Sequence, residues 1–305
     1  MKPWTSLHIF QHEMSTYDAL IVNISQLMDE LVRSGKVNQW FFIRYWEGGP
    51  HLRLRIQTDQ PEAIIEQVTD FTQGYWLINP SSLPPMTKDA YYEGHKFDGK
   101  EISMNDLPWY EDQSVHLIPY EPELARYGGA DVMAYSENIF AHSSRLVAYL
   151  LSKMKFDPAR RFILSLTLTR YLVEELLEFE DEEDNVQFCL FYQEYWESFV
   201  EGNKTDDLRR LFHANEMSVN RFYQLLNQNE IVKDCLVAMK QELQQIREQV
   251  RDELYLHRIV ASHIHMTNNR LGVSPFVEYY ISEYLGAYFE SQEAKKGAIR
   301  VEEPS

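Results

Sequence analysis

Between Trp40 and Ile56 the chain reads WFFIRYWEGGPHLRLRI, two runs rich in β-branched and aromatic residues separated by Glu47-Gly48-Gly49-Pro50. Runs of strand length on either side of such a break predict a β-hairpin. Period-two alternation in the second run sends His51, Arg53 and Arg55 to one face and Leu52, Leu54 and Ile56 to the other. One face seals a core, and the other carries two guanidiniums. Upstream, Trp4 to Gln11 alternates as a strand, and Ser15 or Thr16 caps a helix whose Leu20, Ile24, Leu27, Leu31 and Val32 recur at three- and four-residue spacing up to Gly35. Downstream, Thr58 or Asp59 with Pro61 opens a second helix that turns Ile64, Ile65, Val68 and Phe71 inward and closes near Gly74. A last strand is expected at Val115 to Tyr120. Strand, helix, hairpin, helix, strand is a split βαβ arrangement.

The stretch Tyr75 to Gln113, with Pro80, Pro84, Pro85 and Pro108, is too long for a plain connection, so it is either a functional loop or holds short pieces of its own. From Gly129 the period becomes helical. Helices are expected over Asp131–Lys153, from Asp157-Pro158 to Phe179, over Asn185–Val200, over Glu230–Asn268 as the longest element, and from Ser274-Pro275 onward. The acidic run Glu178 to Asp184 reads as a solvated turn. The expected class is α+β: an N-terminal mixed sheet with a split βαβ-like hairpin and two helices, followed by a helical C-terminal part. The expected boundaries are 1–128 for the sheet-bearing part with its irregular insertion 75–113, 129–294 for the helical part, and 295–305 for a flexible tail.

Composition narrows the function. With 44% hydrophobic residues, 305 residues supply a sizeable core. No apolar run reaches about 18 residues, and the start lacks the pattern of a signal peptide, so a cytoplasmic location is expected. Cys189 and Cys235 offer neither a disulfide framework nor a thiolate zinc site. A net charge of −18 argues against gripping phosphate backbones. HExxH, GxSxG, Walker and Rossmann signatures are missing, which leaves no metal and no cofactor to expect.

Polar residues in unusual settings remain. Arg53 and Arg55 repel one another unless carboxylates of the protein or an anionic ligand lie across them. Glu123 and Arg126 precede Gly128-Gly129, a pair that serves as turn chemistry or lets backbone approach an anion at a helix start. His265 follows Leu243, Ile246, Val250, Leu254 and Ala261 on one helical stripe and is buried or cleft-facing, with His263 turned about 200° away. Glu137, Phe140 and Ser144 align on another helix, where core packing suffices. Arginines, a glutamate and a histidine suit binding a carboxylate and moving a proton.

FFIRYWEGGPHLRLRI, YEPELARYGG, ENIFAHSS and HIHMTNNRLG, in this order, resemble the C-terminal glutamate-elimination domain of lantibiotic dehydratases, which also exists free-standing in thiopeptide-type bacteriocin pathways. The resemblance runs from about Trp4 to Tyr288. It implies β-elimination of glutamate from glutamylated Ser or Thr of a ribosomal precursor peptide, leaving dehydroalanine or dehydrobutyrine. It also implies a site of Arg53, Arg55, Glu123, Arg126 and His265, without cofactor. His265 would exchange the proton, the three arginines would hold the glutamyl group, and Glu123 would orient an arginine or assist the transfer. The implied partners are the precursor peptide and a separate tRNA-dependent glutamyltransferase chain, since 305 residues leave no room for that part; no direct nucleic-acid contact or membrane span follows. Two alternatives stay open: a pyridine-forming [4+2] cyclase of the same fold, and a non-catalytic precursor-binding subunit.

Overall fold

The computed structural model describes residues 3–93, 104–153, 157–177, 182–200 and 205–302. Strand β1 (Trp4–Phe10) leads into α1 (Tyr17–Arg33), the hairpin β2 (Gln39–Tyr45) and β3 (His51–Gln57), and α2 (Pro61–Ile78). α3 (Lys88–Tyr92) and β4 (Ser114–Leu117) follow. The sheet order is β2-β3-β1-β4, the split βαβ order. Each of the three pairings is antiparallel, which corrects the expected mixed sheet on that point. The reason is topological: β1 and β2 run parallel, but β3 separates them, so no parallel neighbours bond.

Local chemistry departs from expectation at the helix starts. Thr16 is the residue before α1 but makes no side-chain cap; its hydroxyl donates to the Glu13 carbonyl at 2.7 Å. Thr58 likewise donates to the Lys36 carbonyl and accepts from the Gln60 N–H, while Pro61 occupies the first turn of α2. α2 runs past Gly74 because Trp76 is buried and its indole N–H donates to Gln11 Oε1 at 2.6 Å. The segment 75–113 contains α3 and a 3₁₀ turn at Met104–Asp106, with 94–103 outside the described residues. It holds the hairpin turn: the Gly48 N–H donates to the Tyr92 hydroxyl at 2.7 Å, and Gly48 bridges to Trp109.

The helical part contains α4 (Met133–Lys153), α5 (Pro158–Leu177), α6 (Glu182–Tyr195), α7 (Glu197–Val200), α8 (Asp207–Ala214), α9 (Glu216–Gln228), α10 (Glu230–Gln249), α11 (Glu253–Leu271) and α12 (Pro275–Glu302). Asp157 caps α5, accepting the Arg160 N–H at 2.8 Å. α8 and α9 were not anticipated. The expected single helix over Glu230–Asn268 is two, because Val250 is extended and Asp252 accepts the Tyr255 N–H at 3.0 Å as a new N-cap. That break takes Leu254 off the buried stripe. Of the acidic run, 178–181 lie outside the described residues and 182–184 open α6; residues 303–305 lie outside as well.

The chain divides into two compact units, Met1–Glu123 with Phe140–Lys155, and Leu124–Ile139 with Phe156–Ser305. In the first, the sheet face bearing Leu7, Ile9, Leu52, Leu54 and Ile56 is buried along with Leu20, Ile24, Ile64 and Val68 of α1 and α2. In the second, α11 is buried over most of its circumference, including Ile259, Val260, His263, Ile264 and Thr267.

Candidate functional site

In the first unit the polar sheet face is defined by register. Arg53 lies opposite His8 of β1 and Ile43 of β2, and Arg55 opposite Ser6 and Phe41. Arg53 is partly neutralised. Its guanidinium lies 3.3 Å from the Tyr45 ring centroid, its Nη2 is 3.7 Å from Glu47, and its Nε donates a long hydrogen bond to His51 Nε2 at 3.4 Å. Glu123 is exposed, and its carboxylate also favours the Arg53 charge. Burial is nonetheless the larger influence on Arg53 and holds its pKa below the usual guanidinium value, while Arg53 in turn acts on Arg55.

Arg55 differs. It is 5% exposed, it sits 5.3 Å from the Tyr120 ring, and its Nε and Nη1 find no acceptor among the described residues. Burial, reinforced by the Arg53 charge, pushes its pKa down to about 9, so the cation persists near neutral pH. The neighbouring imidazoles stay neutral. His8 is pushed down to about 2, chiefly by burial and then by His51 and the arginines, and His51 to about 3, chiefly by burial. His51 Nδ1 is 2.8 Å from the Gly49 carbonyl, so it carries the hydrogen and leaves Nε2 to accept from Arg53.

The second unit holds Arg126 and His265, both on or against α11. Arg126 Nε donates to Ser262 Oγ at 3.1 Å, and Ser262 lies one turn before His265. The segment around Arg126 is tied down on both sides: Tyr255 donates to the Ala125 carbonyl at 2.8 Å, and the Tyr127 ring lies 5.2 Å from His263. The glycines after it serve turn geometry. Gly128 has φ +95°, and a Cβ there would stand 2.4 Å from Val132 Cγ2. Gly129 has φ +96° in open space.

His265 Nδ1 is 2.7 Å from Glu278 Oε1 on α12, and the Trp196 ring lies 4.5 Å away. Glu278 is fully buried, and its other oxygen accepts from the Tyr192 hydroxyl and from Asn268 Nδ2 at 3.1 Å. Asn268 is in turn held by Ser165 at 2.8 Å. Tyr192 and Asn268 donate to Oε2; with Glu278 ionised, Oε1 can only accept, which would place the hydrogen of His265 on Nδ1 and leave the lone pair on Nε2. Glu278 was not singled out from the sequence; its only signal is an acidic residue inside the apolar run Phe276–Ile281. His263 is the more deeply buried histidine, pushed down to about 3 by burial. Of the aligned trio on α4, Ser144 accepts the Phe42 N–H of the edge strand β2 at 3.1 Å.

Two concavities contain none of the five expected site residues: about 450 Å³ beside Asp29, Trp40 and Arg145 in the first unit, and about 490 Å³ beside Ile163, Phe222 and Leu225 in the second. No helix among the described residues is long and apolar enough to cross a membrane.

One family matches the chain along nearly its whole length. The chain belongs to the lantibiotic biosynthesis dehydratase C-terminal family, whose model covers residues 4–289. Among particular relatives, it is 21% identical to the epidermin biosynthesis protein EpiB of Staphylococcus epidermidis over 97% of this chain, and it spans 26% of EpiB. Among solved structures, TbtD, the pyridine synthase from thiomuracin biosynthesis, matches with a TM-score of 0.68 and 16% identity, over 95% of this chain and 98% of TbtD. MibB, the tRNA-dependent lantibiotic dehydratase of Microbispora sp. 107891, matches with 0.57 and 18% over 99% of this chain and 29% of MibB. TsrL matches with 0.55 and 17%, over the full length of both chains.

Proposed function

We propose that the chain eliminates glutamate from glutamylated Ser or Thr of a precursor peptide. The observation that carries this reading is Arg55, a buried guanidinium beside Arg53 whose Nε and Nη1 have no acceptor among the described residues. A buried cation left unpaired is costly, and a carboxylate-bearing substrate would relieve it. In the proposed step His265 Nε2 takes the Cα proton, a Cα=Cβ double bond forms, the Cβ–O bond breaks, and glutamate leaves as a carboxylate. Arg53, Arg55 and Arg126 hold the glutamyl group and the charge that develops, and Glu123 tempers the Arg53 charge. No cofactor enters the step. The partners under this reading are the precursor peptide and a tRNA-dependent glutamyltransferase chain working in the cytoplasm. The net charge of −18 suits a protein that does not itself bind the tRNA.

The test is mass analysis of a glutamylated peptide incubated with this protein alone. Release of free glutamate with formation of the dehydrated residue is expected, and His265→Ala should leave the glutamylated peptide intact. Unchanged peptide with the native protein, or native-rate release by His265→Ala, would overturn the reading. A second reading, formation of a pyridine ring, is kept by the full-length fold match to TbtD. Dehydrated peptide offered in a parallel reaction separates the two: ring formation there, with glutamylated peptide untouched, would replace elimination.

A further inference from the structure

The arginines do not stand alone on their sheet face. Directly opposite Arg55 on β1 is Ser6, and directly opposite Arg53 is His8, so their side chains project on the same side of the sheet. Ser6 is 2% exposed and His8 3%. Ser6 Oγ and His8 Nε2 have no hydrogen-bond partner among the described residues, the same condition as Arg55 Nε and Nη1. Four buried polar atoms on three adjacent residues are thus left without partners, whereas buried polar groups ordinarily find one. One or two trapped waters could satisfy a hydroxyl and an imidazole, but water brings no charge to set against the Arg55 guanidinium.

We infer that Ser6, His8 and Arg55 form a cradle for one carboxylate, the free side-chain carboxylate of the glutamyl group. This rests on the elimination reading, because an aminoacyl group carried by tRNA is esterified through its α-carbonyl, so the charge that distinguishes glutamyl from glutaminyl lies on the side chain. Ser6 donates through its hydroxyl, His8 through a neutral ring N–H, and Arg55 through its guanidinium. Ser6 and His8 are then specificity-determining residues, and His8 suits the task because burial keeps its ring neutral rather than a third cation.

The experiment compares native protein, Ser6→Ala and His8→Phe in two assays. Calorimetry measures binding of free L-glutamate and L-glutamine, and mass analysis measures turnover of glutamyl-serine and glutaminyl-serine peptides. A hydrogen bond to a charged group is worth about 1.5–3 kcal/mol, so each variant should weaken glutamate binding about 10- to 100-fold and shrink the preference over glutamine by the same factor. His8→Phe keeps the ring stacked on His51, which lies 4.8 Å away, so the fold is retained. Ser6→Ala, which deletes an unpartnered buried hydroxyl, should leave the thermal midpoint of the ligand-free protein unchanged or higher. Native elimination with both variants binding glutamate normally would overturn the cradle and leave the function standing. A lowered midpoint in both variants with an unchanged Kd would assign these atoms to trapped water and also overturn it. Absent elimination, with glutamate bound over glutamine and that preference lost in the variants, would sink the elimination reading and keep the cradle.

Discussion

His265 and Glu278 are thirteen positions apart on consecutive helices, yet their side chains meet at 2.7 Å, with the carboxylate wholly withdrawn from solvent. A carboxylate in that position cannot donate, so the ring is held in one tautomer. Glu278→Gln keeps the shape and removes that constraint. Its amide nitrogen must face either His265, which strips the hydrogen from Nδ1 and places it on Nε2, or the donors of Tyr192 and Asn268. The expected result is a fall of about 10²-fold in kcat for glutamate release with KM little changed, accompanied by a ¹⁵N shift of His265 to the other tautomer. Native kcat in a folded variant would show that Glu278 does not position the ring.

Arg55 makes the opposite trade. As a buried cation whose Nε and Nη1 have no acceptor among the described residues, it should lower the stability of the ligand-free protein, a cost that the proposed role in holding glutamate would explain. Arg55→Met should therefore raise the stability of the free protein by about 1 kcal/mol or more while reducing glutamate release about 10²- to 10³-fold. Chemical denaturation and the mass assay check both halves. A variant that loses stability would show that Arg55 is satisfied within the fold.

What could be read from the chain follows physical range. The hairpin and the split βαβ order were legible because period-two alternation and turn residues are local, and the arginine pair came with them. The break at Val250 was missed because the apolar period continues across it; Asp252 wins as a cap only by a local competition that periodicity does not register. Glu278, and the proposed Ser6 and His8, were also not singled out. Each is an ordinary polar residue until tertiary packing removes its water, and which residues are buried together depends on contacts far apart in sequence. The family resemblance supplied candidates for the site, but not the carboxylate behind His265.

The two glycines after Arg126 separate two costs that sequence cannot distinguish. Both have positive φ, so alanine at either is strained by about 1 kcal/mol. At Gly129 nothing else is met. At Gly128 the new Cβ would stand 2.4 Å from Val132 and press on Ile259 of α11, adding about 1–3 kcal/mol of overpacking. Gly128→Ala should therefore lose clearly more stability than Gly129→Ala by urea denaturation, and it should weaken glutamate release by displacing Arg126 from Ser262. Equal losses at the two positions would mean that the contact with Val132 relaxes freely.

His263 predicts an acid limit for the fold. Burial first, then Arg270 and Arg126, hold its pKa down to about 3, against about 6.5 for an unfolded histidine. Between those values the unfolded chain binds a proton that the folded ring refuses, so stability falls as pH drops from about 6.5 toward 3 and is level above 6.5. At pH 5 the loss from this ring alone is about 2 kcal/mol relative to pH 8. His8 and His51, also held neutral, add slope of the same sign, so the native protein alone cannot isolate the effect. His263→Gln can, because it keeps a polar group for Ser136, now 3.3 Å from the ring nitrogen, and does not titrate. Urea denaturation of both proteins at pH 8 and pH 5 should show the native advantage shrinking by about 2 kcal/mol at the lower pH. An advantage independent of pH would mean that the His263 ring takes up its proton without unfolding.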